Sequence, residues 1–384
     1  MTTKSNFIVI GSTGRNTGKT EFACRLIEKY SKEHFVVGIK VVAINRSAGN
    51  CPRGGKGCGV CQSLEGDYEI FEEKIINPQK DTSRMLMAGA QKVFFLKVDE
   101  NCLPQGLNAI LEVIPENAMV VIESNSIRKV LEPGLFIVIK NLVDKTVKDS
   151  CAEVIGFANK VIEFNNMSWN FSPERVIIKD NTWIIREKAT AIILAGGKSS
   201  RMGGNDKSLL PINGVPLIQH IVKQLEGHFE QILIGANDAE KYSFLNLEVI
   251  PDIEKDMGPL MGIYSCLKAS QNDINFITAC DIPEMNIKLI NNMINLSTNN
   301  DIVMPVKGEN MHEPLFAVYN KGVANIAEGI IASNGRRIIE FIGKCKVKYV
   351  EFSDKGWYQN LNLKDDYISY IQKSEGRSCN KNMT

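Results

Sequence analysis

At 384 residues the chain is long enough for two domains of the usual ~100–200 residues each. Its 44% apolar and 23% charged content suits a soluble globular protein, and a net charge of +1 gives no global case for nucleic acid or an acidic membrane surface as partner. The opening MTTKSNFIVIG lacks a signal-peptide core and no apolar run reaches the ~18 residues of a membrane span, which predicts a cytoplasmic protein whose ten cysteines stay mostly reduced.

Taken in chain order, strand-like runs alternate with helical periods. Strands are expected at Phe7–Ile10, Phe35–Val42, Val93–Val98, Met119–Ile122, Phe136–Ile139 and Val161–Phe164. Helices are expected at Thr20–Lys32, Pro104–Ile114 and Lys145–Phe157. The alternation predicts an α/β domain over residues 1–165 with a mainly parallel sheet. Between its first strand and first helix, Gly11 to Thr20 reads GSTGRNTGKT. This is close to a P-loop: backbone amides at Gly14 and Gly18 would cradle phosphates, Lys19 would reach the β and γ oxygens, and Thr20 would ligate Mg²⁺. The eight-residue pattern asks for glycine where Thr13 stands.

A glycine-rich insertion, CPRGGKGCGVC, follows the second strand. Cys51, Cys58 and Cys61 sit there with almost no other apolar residue, so burial does not explain them. Their spacing suits Zn²⁺ or an iron–sulfur cluster, with Cys102, His34 or a second subunit as the further ligand; redox-labile loop thiols are the alternative.

The pattern breaks at Asn165–Pro173. Residues 166–188 read as a linker with a hairpin at Arg175–Arg186, its turn at Asp180-Asn181. A second α/β series covers 189–370, with strands expected at Ala191–Leu194, Gln231–Gly235, Glu248–Ile250, Asn275–Ala279, Asp301–Pro305 and Val347–Val350, and 371–384 form a flexible tail. Its opening strand delivers LAGGKSSRMGGNDKSLL. Glycines there let backbone N–H groups approach phosphates, while Lys198, Arg201 and Lys207 can neutralise a triphosphate.

Two resemblances follow from these motifs. The GKT loop, Asp81-Thr82-Ser83-Arg84, Ala88-Gly89-Ala90 and Glu123 at the end of MVVIE resemble the GTP-binding accessory protein of molybdopterin guanine dinucleotide synthesis, over about residues 6–165. The family's His after the Arg is Met85 here. The resemblance implies an N-terminal P-loop NTPase-like domain that binds GTP, and leaves hydrolysis open; a non-hydrolysing binding or adaptor module is the alternative.

Leu-Ala-Gly-Gly-x-Ser-x-Arg-Met-Gly, Asp206-Lys207, Pro251-Asp252, Gly258-Pro259-Leu260, Cys280-Asp281-Ile282-Pro283, His312-Glu313-Pro314-Leu315 and Asn360-Leu361-Asn362 resemble molybdenum cofactor guanylyltransferase. That implies a C-terminal Rossmann-like nucleotidyltransferase domain. The implied reaction transfers GMP from GTP to the phosphate of molybdopterin and releases pyrophosphate. Arg201, Lys207 and Asp281 are the implied catalytic residues, and Leu194, Ala195, Gly196, Gly197, Lys207, Asp252 and Asp281 the GTP-binding set. Asp281 would hold Mg²⁺, with His312, Asn360 and Asn362 on the pterin side. The family often has Asn where Gly235 stands, so that contact is absent or passes to Asn237. Partners would be GTP, molybdopterin, molybdoenzyme clients and a second copy of the chain. A cytidylyltransferase of the same fold and a sugar-phosphate nucleotidyltransferase are the rival readings.

Overall fold

The computed structural model describes residues 1–45, 64–196, 206–307, 311–352 and 358–381. The chain divides into two compact units, Met1–Arg186 and Glu187–Thr384.

The first unit runs β1 (Thr2–Ser12), α1 (Lys19–Tyr30), β2 (Val36–Ile44), β3 (Tyr68–Glu72), α2 (Asp81–Met87), β4 (Lys92–Asp99), α3 (Leu103–Val113), β5 (Met119–Glu123), β6 (Leu131–Asn141), α4 (Asp149–Ala152), β7 (Lys160–Phe164), then the short strands β8 (Val176–Lys179) and β9 (Thr182–Ile185). Seven strands form one sheet in the order β3-β4-β2-β5-β1-β6-β7. All neighbours are parallel except β3, which pairs antiparallel with β4 at one edge. The sheet is covered on both faces. In β1, Ile8 and Ile10 enter one apolar cluster while Phe7 and Val9 enter the other. This is why parallel strands here read as continuous apolar runs rather than alternating ones.

Two sequence expectations change. The helix expected over Lys145–Phe157 shrinks to Asp149–Ala152 and a 3₁₀ turn at Ile155–Phe157. The Asp144 carboxylate accepts from both the backbone N–H (3.0 Å) and the hydroxyl (2.7 Å) of Thr146, and Lys148 N donates to Thr13 O (3.0 Å). Those bonds hold the segment in a non-helical path. The stretch expected as linker and hairpin is built into the first unit. Asp180 and Asn181 take φ of 47° and 57°, as a tight hairpin turn requires. Val176, Trp183 and Ile185 are buried in the same cluster as Phe22 and Tyr30, and Trp183 donates to Asn6 O at 3.0 Å.

The second unit runs β10 (Glu187–Leu194), β11 (Pro211–Ile212), β12 (Val215–Pro216), α5 (Leu217–Leu225), β13 (Phe229–Gly235), β14 (Glu248–Ile250), α6 (Pro259–Ala269), β15 (Ile274–Ala279), α7 (Ile287–Asn295), β16 (Ile302–Lys307), β17 (Met311–His312), β18 (Phe316–Asn320), α8 (Ala324–Ala332), α9 (Ile338–Ile342), β19 (Val347–Glu351) and α10 (Lys364–Lys381). The sheet order is β14-β13-β10-β15-β18-β16-β17, with β19 beside β16. β18 runs antiparallel to β15 and β16, and is absent from the strands read in the sequence. The expected flexible tail is helical as far as Lys381. Tyr370 anchors the helix: its ring is buried and its hydroxyl donates to Glu284 Oε1 at 2.7 Å.

β10 lies between β13 and β15, and the chain crosses to opposite sides of β10 to form them. The carboxyl end of β10 is therefore a topological switch point, where an open α/β sheet leaves a crevice for ligands.

Candidate active site

That crevice is a cavity of ≈ 670 Å³ lined by Leu194, Ala195 and Gly196, Lys207, Asp252, Gly258 and Asp281, among others. Its floor is backbone. Cys280 N donates to Leu194 O (3.1 Å), and Ala195 N donates to Gly235 O (2.9 Å). Ala195 and Ser208 are joined by a residue the sequence reading missed. Tyr242, fully buried, donates to Ala195 O (3.2 Å) and shares a hydrogen bond with Ser208 Oγ (3.0 Å).

Lys207 opens the 3₁₀ turn Lys207–Leu209, whose start is capped by Asp206 accepting from Ser208 N at 2.9 Å. Its Nζ donates to Asn362 Oδ1 at 3.4 Å. Asp281 follows β15, and its carbonyl accepts from Leu361 N at 2.9 Å, so the loop bearing Asn360 and Asn362 is tied to the Asp281 backbone. Burial pushes the Asp281 carboxyl above the ordinary carboxylate range, and the Lys207 ammonium opposes that shift. Lys207, Asp281 and Asn362 thus form one cluster from three distant stretches of chain. Cys280, next to Asp281, is no nucleophile at neutral pH, because burial pushes its thiol up to about 12.

On the opposite wall, Asn237 and Asp252 bind reciprocally: Asn237 Nδ2 donates to Asp252 Oδ2 (2.9 Å) and Asp252 N donates to Asn237 Oδ1 (2.8 Å). Gly235 has no room for a side chain. A Cβ there would stand 2.7 Å from Leu194 Cδ2 and 2.9 Å from Cys266 Sγ. Asn237, two residues on, is the amide that reaches the cavity wall.

His312 does not join this cluster. It is exposed on β17 with its ring 5.0 Å from that of Tyr349. Its neighbour Glu313 instead faces inward. Burial, together with the nearby Asp281 charge, raises its carboxyl, while a hydrogen bond with Tyr358 opposes the rise. Asn360 Nδ2 donates to Tyr358 Oη (3.1 Å), and Asn360 Oδ1 is buried with no hydrogen-bond partner among the described residues. Gly197 and Arg201 lie outside the described residues.

The family profile described as MobA-like NTP transferase domain matches residues 191–346. A probable molybdenum cofactor guanylyltransferase of Clostridium perfringens is 35% identical over 197 residues, 49% of this chain and 98% of that protein. The molybdenum cofactor guanylyltransferase of Vibrio parahaemolyticus is 34% identical over 185 residues, 47% of this chain and 94% of that protein. The chain belongs to the molybdenum cofactor guanylyltransferase family. A solved structure of molybdopterin-guanine dinucleotide biosynthesis protein A from Archaeoglobus fulgidus is 22% identical with a TM-score of 0.42, covering 50% of this chain and 99% of that one.

In this guanylyltransferase-family chain the matched domain falls within the second unit. The first unit has its own cleft, of ≈ 1460 Å³, at the carboxyl ends of β1, β2 and β5. Gly14 and Gly18, Lys19 and Thr20 all line it. Gly18 caps α1 at φ 71°, a left-handed conformation that glycine adopts without strain. Thr20 Oγ1 donates to Glu123 Oε2 at 2.7 Å, and Lys19 Nζ lies 3.5 Å from Glu123 Oε1. Lys40 pairs with Asp81 and stands 3.9 Å from Glu123. Burial works to raise the Asp81 carboxyl, but Lys40 and Thr20 hold it below the ordinary range. Asp81 and Glu123 both lie beside the Thr20 hydroxyl.

Arg84 pairs with Glu21 at 2.7 Å, whereas Met85 is wholly buried in the core and does not occupy the cleft. Thr13, the departure from the P-loop pattern, is also buried; its hydroxyl accepts from Asn141 N at 3.1 Å. Cys51, Cys58 and Cys61 lie outside the described residues. Among the described residues, six cysteines form no disulfide, no cluster of three or more His, Cys, Asp or Glu side chains is arranged for a metal, and no helix is long and apolar enough to cross a membrane.

Proposed function

We propose that the chain carries two nucleotide sites serving one product, the guanine dinucleotide form of the molybdenum cofactor. The second half is a nucleotidyltransferase that moves GMP from GTP to molybdopterin. A molybdopterin phosphate oxygen attacks the α-phosphorus of GTP, a new P–O bond forms, the α–β bridging bond breaks, and pyrophosphate leaves.

The observation that carries this reading is the convergence of Lys207, Asp281 and Asn362 beside the Leu194–Gly196 backbone. Two anions must meet, so charge neutralisation dominates the barrier. Lys207 supplies a cation for the triphosphate and the leaving pyrophosphate, joined by Arg201. Gly196, without a Cβ, lets the loop backbone approach the nucleotide, with Leu194 and Ala195 meeting the guanine; the resemblance adds Gly197 to the GTP-binding set. The Asn237–Asp252 pair fixes a carboxylate and an amide on the facing wall. The pterin side falls to Asn360 and Asn362, and Asn360 Oδ1 is a buried acceptor with no partner among the described residues. His312 would reach a pterin only from the rim.

The donor set fits Mg²⁺, which binds through one or two carboxylates and completes its shell with phosphate oxygens and water. Asp281 would hold it, with Asn362 Oδ1 as a neutral oxygen nearby. Bound there, the ion would neutralise charge on the phosphate oxygens.

The reading is tested by product analysis after incubation with GTP, Mg²⁺ and molybdopterin. Molybdopterin guanine dinucleotide and pyrophosphate are expected, with unlabelled CTP failing to compete against labelled GTP. A cytidine product, or transfer to a sugar phosphate instead, would overturn it.

The first unit is a P-loop GTP-binding module in this reading, supported by Lys19, Thr20, Asp81 and Glu123 converging on one cleft. Mg²⁺ would sit at the Thr20 hydroxyl, with Glu123 and Asp81 nearby. Titration of the full chain with a non-hydrolysable GTP analogue should find two sites, and Lys19→Ala should leave one. A single site unaffected by Lys19→Ala would remove the first-unit assignment.

A further inference from the structure

Glu313 directly follows β17, and its backbone is fastened on both sides. Glu313 N donates to Pro305 O in β16 (3.4 Å), and Glu313 O accepts from Phe316 N at the start of β18 (3.1 Å). Leu315 O accepts from Ala279 N (3.0 Å), so the same turn is tied to the end of β15, two residues before Asp281. The sheet therefore fixes where the Glu313 carboxyl stands. It is part-buried, near enough to Asp281 to feel its charge, and hydrogen-bonded to the Tyr358 hydroxyl. No step of GMP transfer uses this carboxyl directly.

Tyr358 passes the contact on. Its ring packs edge-on against Phe352, with 5.6 Å between centroids, and both rings lie against the apolar core of the second unit. A tyrosine hydroxyl has a single proton to donate, and its oxygen can also accept. A Glu313 carboxyl oxygen accepts that proton, and Tyr358 Oη in turn accepts from Asn360 Nδ2 at 3.1 Å. The Asn360 amide is thereby oriented. Its nitrogen end faces Tyr358, and its oxygen end is buried with no partner among the described residues. Leu361, the next residue, is tied to the Asp281 backbone, and Asn362 Oδ1 accepts from Lys207. The oriented amide thus belongs to the stretch that joins Asp281 and Lys207. With no acceptor at position 313, the Tyr358 proton would be free to go to Asn360 Oδ1, and the amide could turn end for end.

We propose that Glu313 is a positioning residue for the pterin substrate: through Tyr358 it sets the polarity of the Asn360 amide, so that Asn360 Oδ1 is offered as an acceptor to a pterin N–H. A pterin carries an amino group and ring N–H donors. The GTP triphosphate carries acceptors and would gain nothing from a further one. The contribution of Glu313 therefore falls on the pterin and spares GTP. This rests on the reading of the second half as a guanylyltransferase with Asn360 on the pterin side, and adds the residue that orients Asn360.

The test is steady-state GMP transfer by the full chain with Mg²⁺, varying GTP and molybdopterin in turn. Glu313→Leu and Tyr358→Phe should each raise KM for molybdopterin by about tenfold, the upper scale for one hydrogen bond, with KM for GTP unaltered. Glu313→Gln keeps a side-chain carbonyl for Tyr358 and should recover most of that loss. In an Asn360→Ala chain, Glu313→Leu should add nothing, because the amide it orients is gone. A general disturbance of the fold would not vanish in that background, nor single out one substrate. Equal losses toward GTP and molybdopterin overturn the proposal. So does a Glu313→Gln chain no better than Glu313→Leu, or a Glu313→Leu effect undiminished beside Asn360→Ala. A parent chain that forms no guanine dinucleotide is a different result: it removes the transfer reading, and this proposal with it.

Discussion

Lys207→Ala is expected to slow GMP transfer by about 10²–10³-fold, the scale for removing one preorganised group that stabilises developing negative charge. The loss should appear mainly in kcat. A cation needed only to hold ground-state GTP would raise KM and leave kcat alone, whereas one needed when pyrophosphate departs lowers kcat. The contacts of Lys207 favour the second outcome. Its ammonium is half-buried in a cleft, faces Asp281, and is steadied by Asn362 Oδ1 at 3.4 Å. Steady-state kinetics with GTP as the varied substrate separate the two. Turnover close to that of the unaltered chain would sink the role given to Lys207.

Asp281→Asn should have a loss at least as large, about 10³-fold, because it removes the carboxylate placed to hold a divalent ion while keeping nearly the same shape. Here stability and activity should move apart. In the metal-free chain the folded-state carboxyl of Asp281 titrates above its ordinary value, so its ionised form opposes folding at neutral pH. The amide carries no such cost. Thermal melts of the metal-free chains should therefore show Asp281→Asn at least as stable as the parent. A variant that melts earlier, or that transfers GMP normally, would contradict the assignment.

Much of both sites is legible in the sequence because strand ends and glycine loops are local. GSTGRNTGKT sits at the end of β1, and Leu194, Asp281 and Glu123 each mark the carboxyl end of a buried strand. What escapes is long-range partnership. Nothing near Thr13 announces that its hydroxyl takes the N–H of Asn141, and so a departure from the P-loop pattern has a tertiary explanation. The Asp144–Thr146 and Lys148–Thr13 bonds take the chain off the helical path expected over Lys145–Phe157. Tyr242 carries no motif, yet its hydroxyl holds the Ala195 carbonyl at the cavity wall. His312 and Glu313 are adjacent, but His312 is exposed at the end of β17 while Glu313, just past that strand, is part-buried near the Asp281 charge. A motif names the stretch, and only the sheet decides which of its side chains serves.

The transfer site draws on Leu194 near its start and Asn362 near its finish, and the backbone of Asp281 is tied to Leu361. Synthesis proceeds from the N-terminus, and domains generally fold as units in that order. Every residue of the first unit has left the ribosome before the loop bearing Asn362 is made. A nascent chain can therefore assemble the first-unit cleft well before the transfer site is whole.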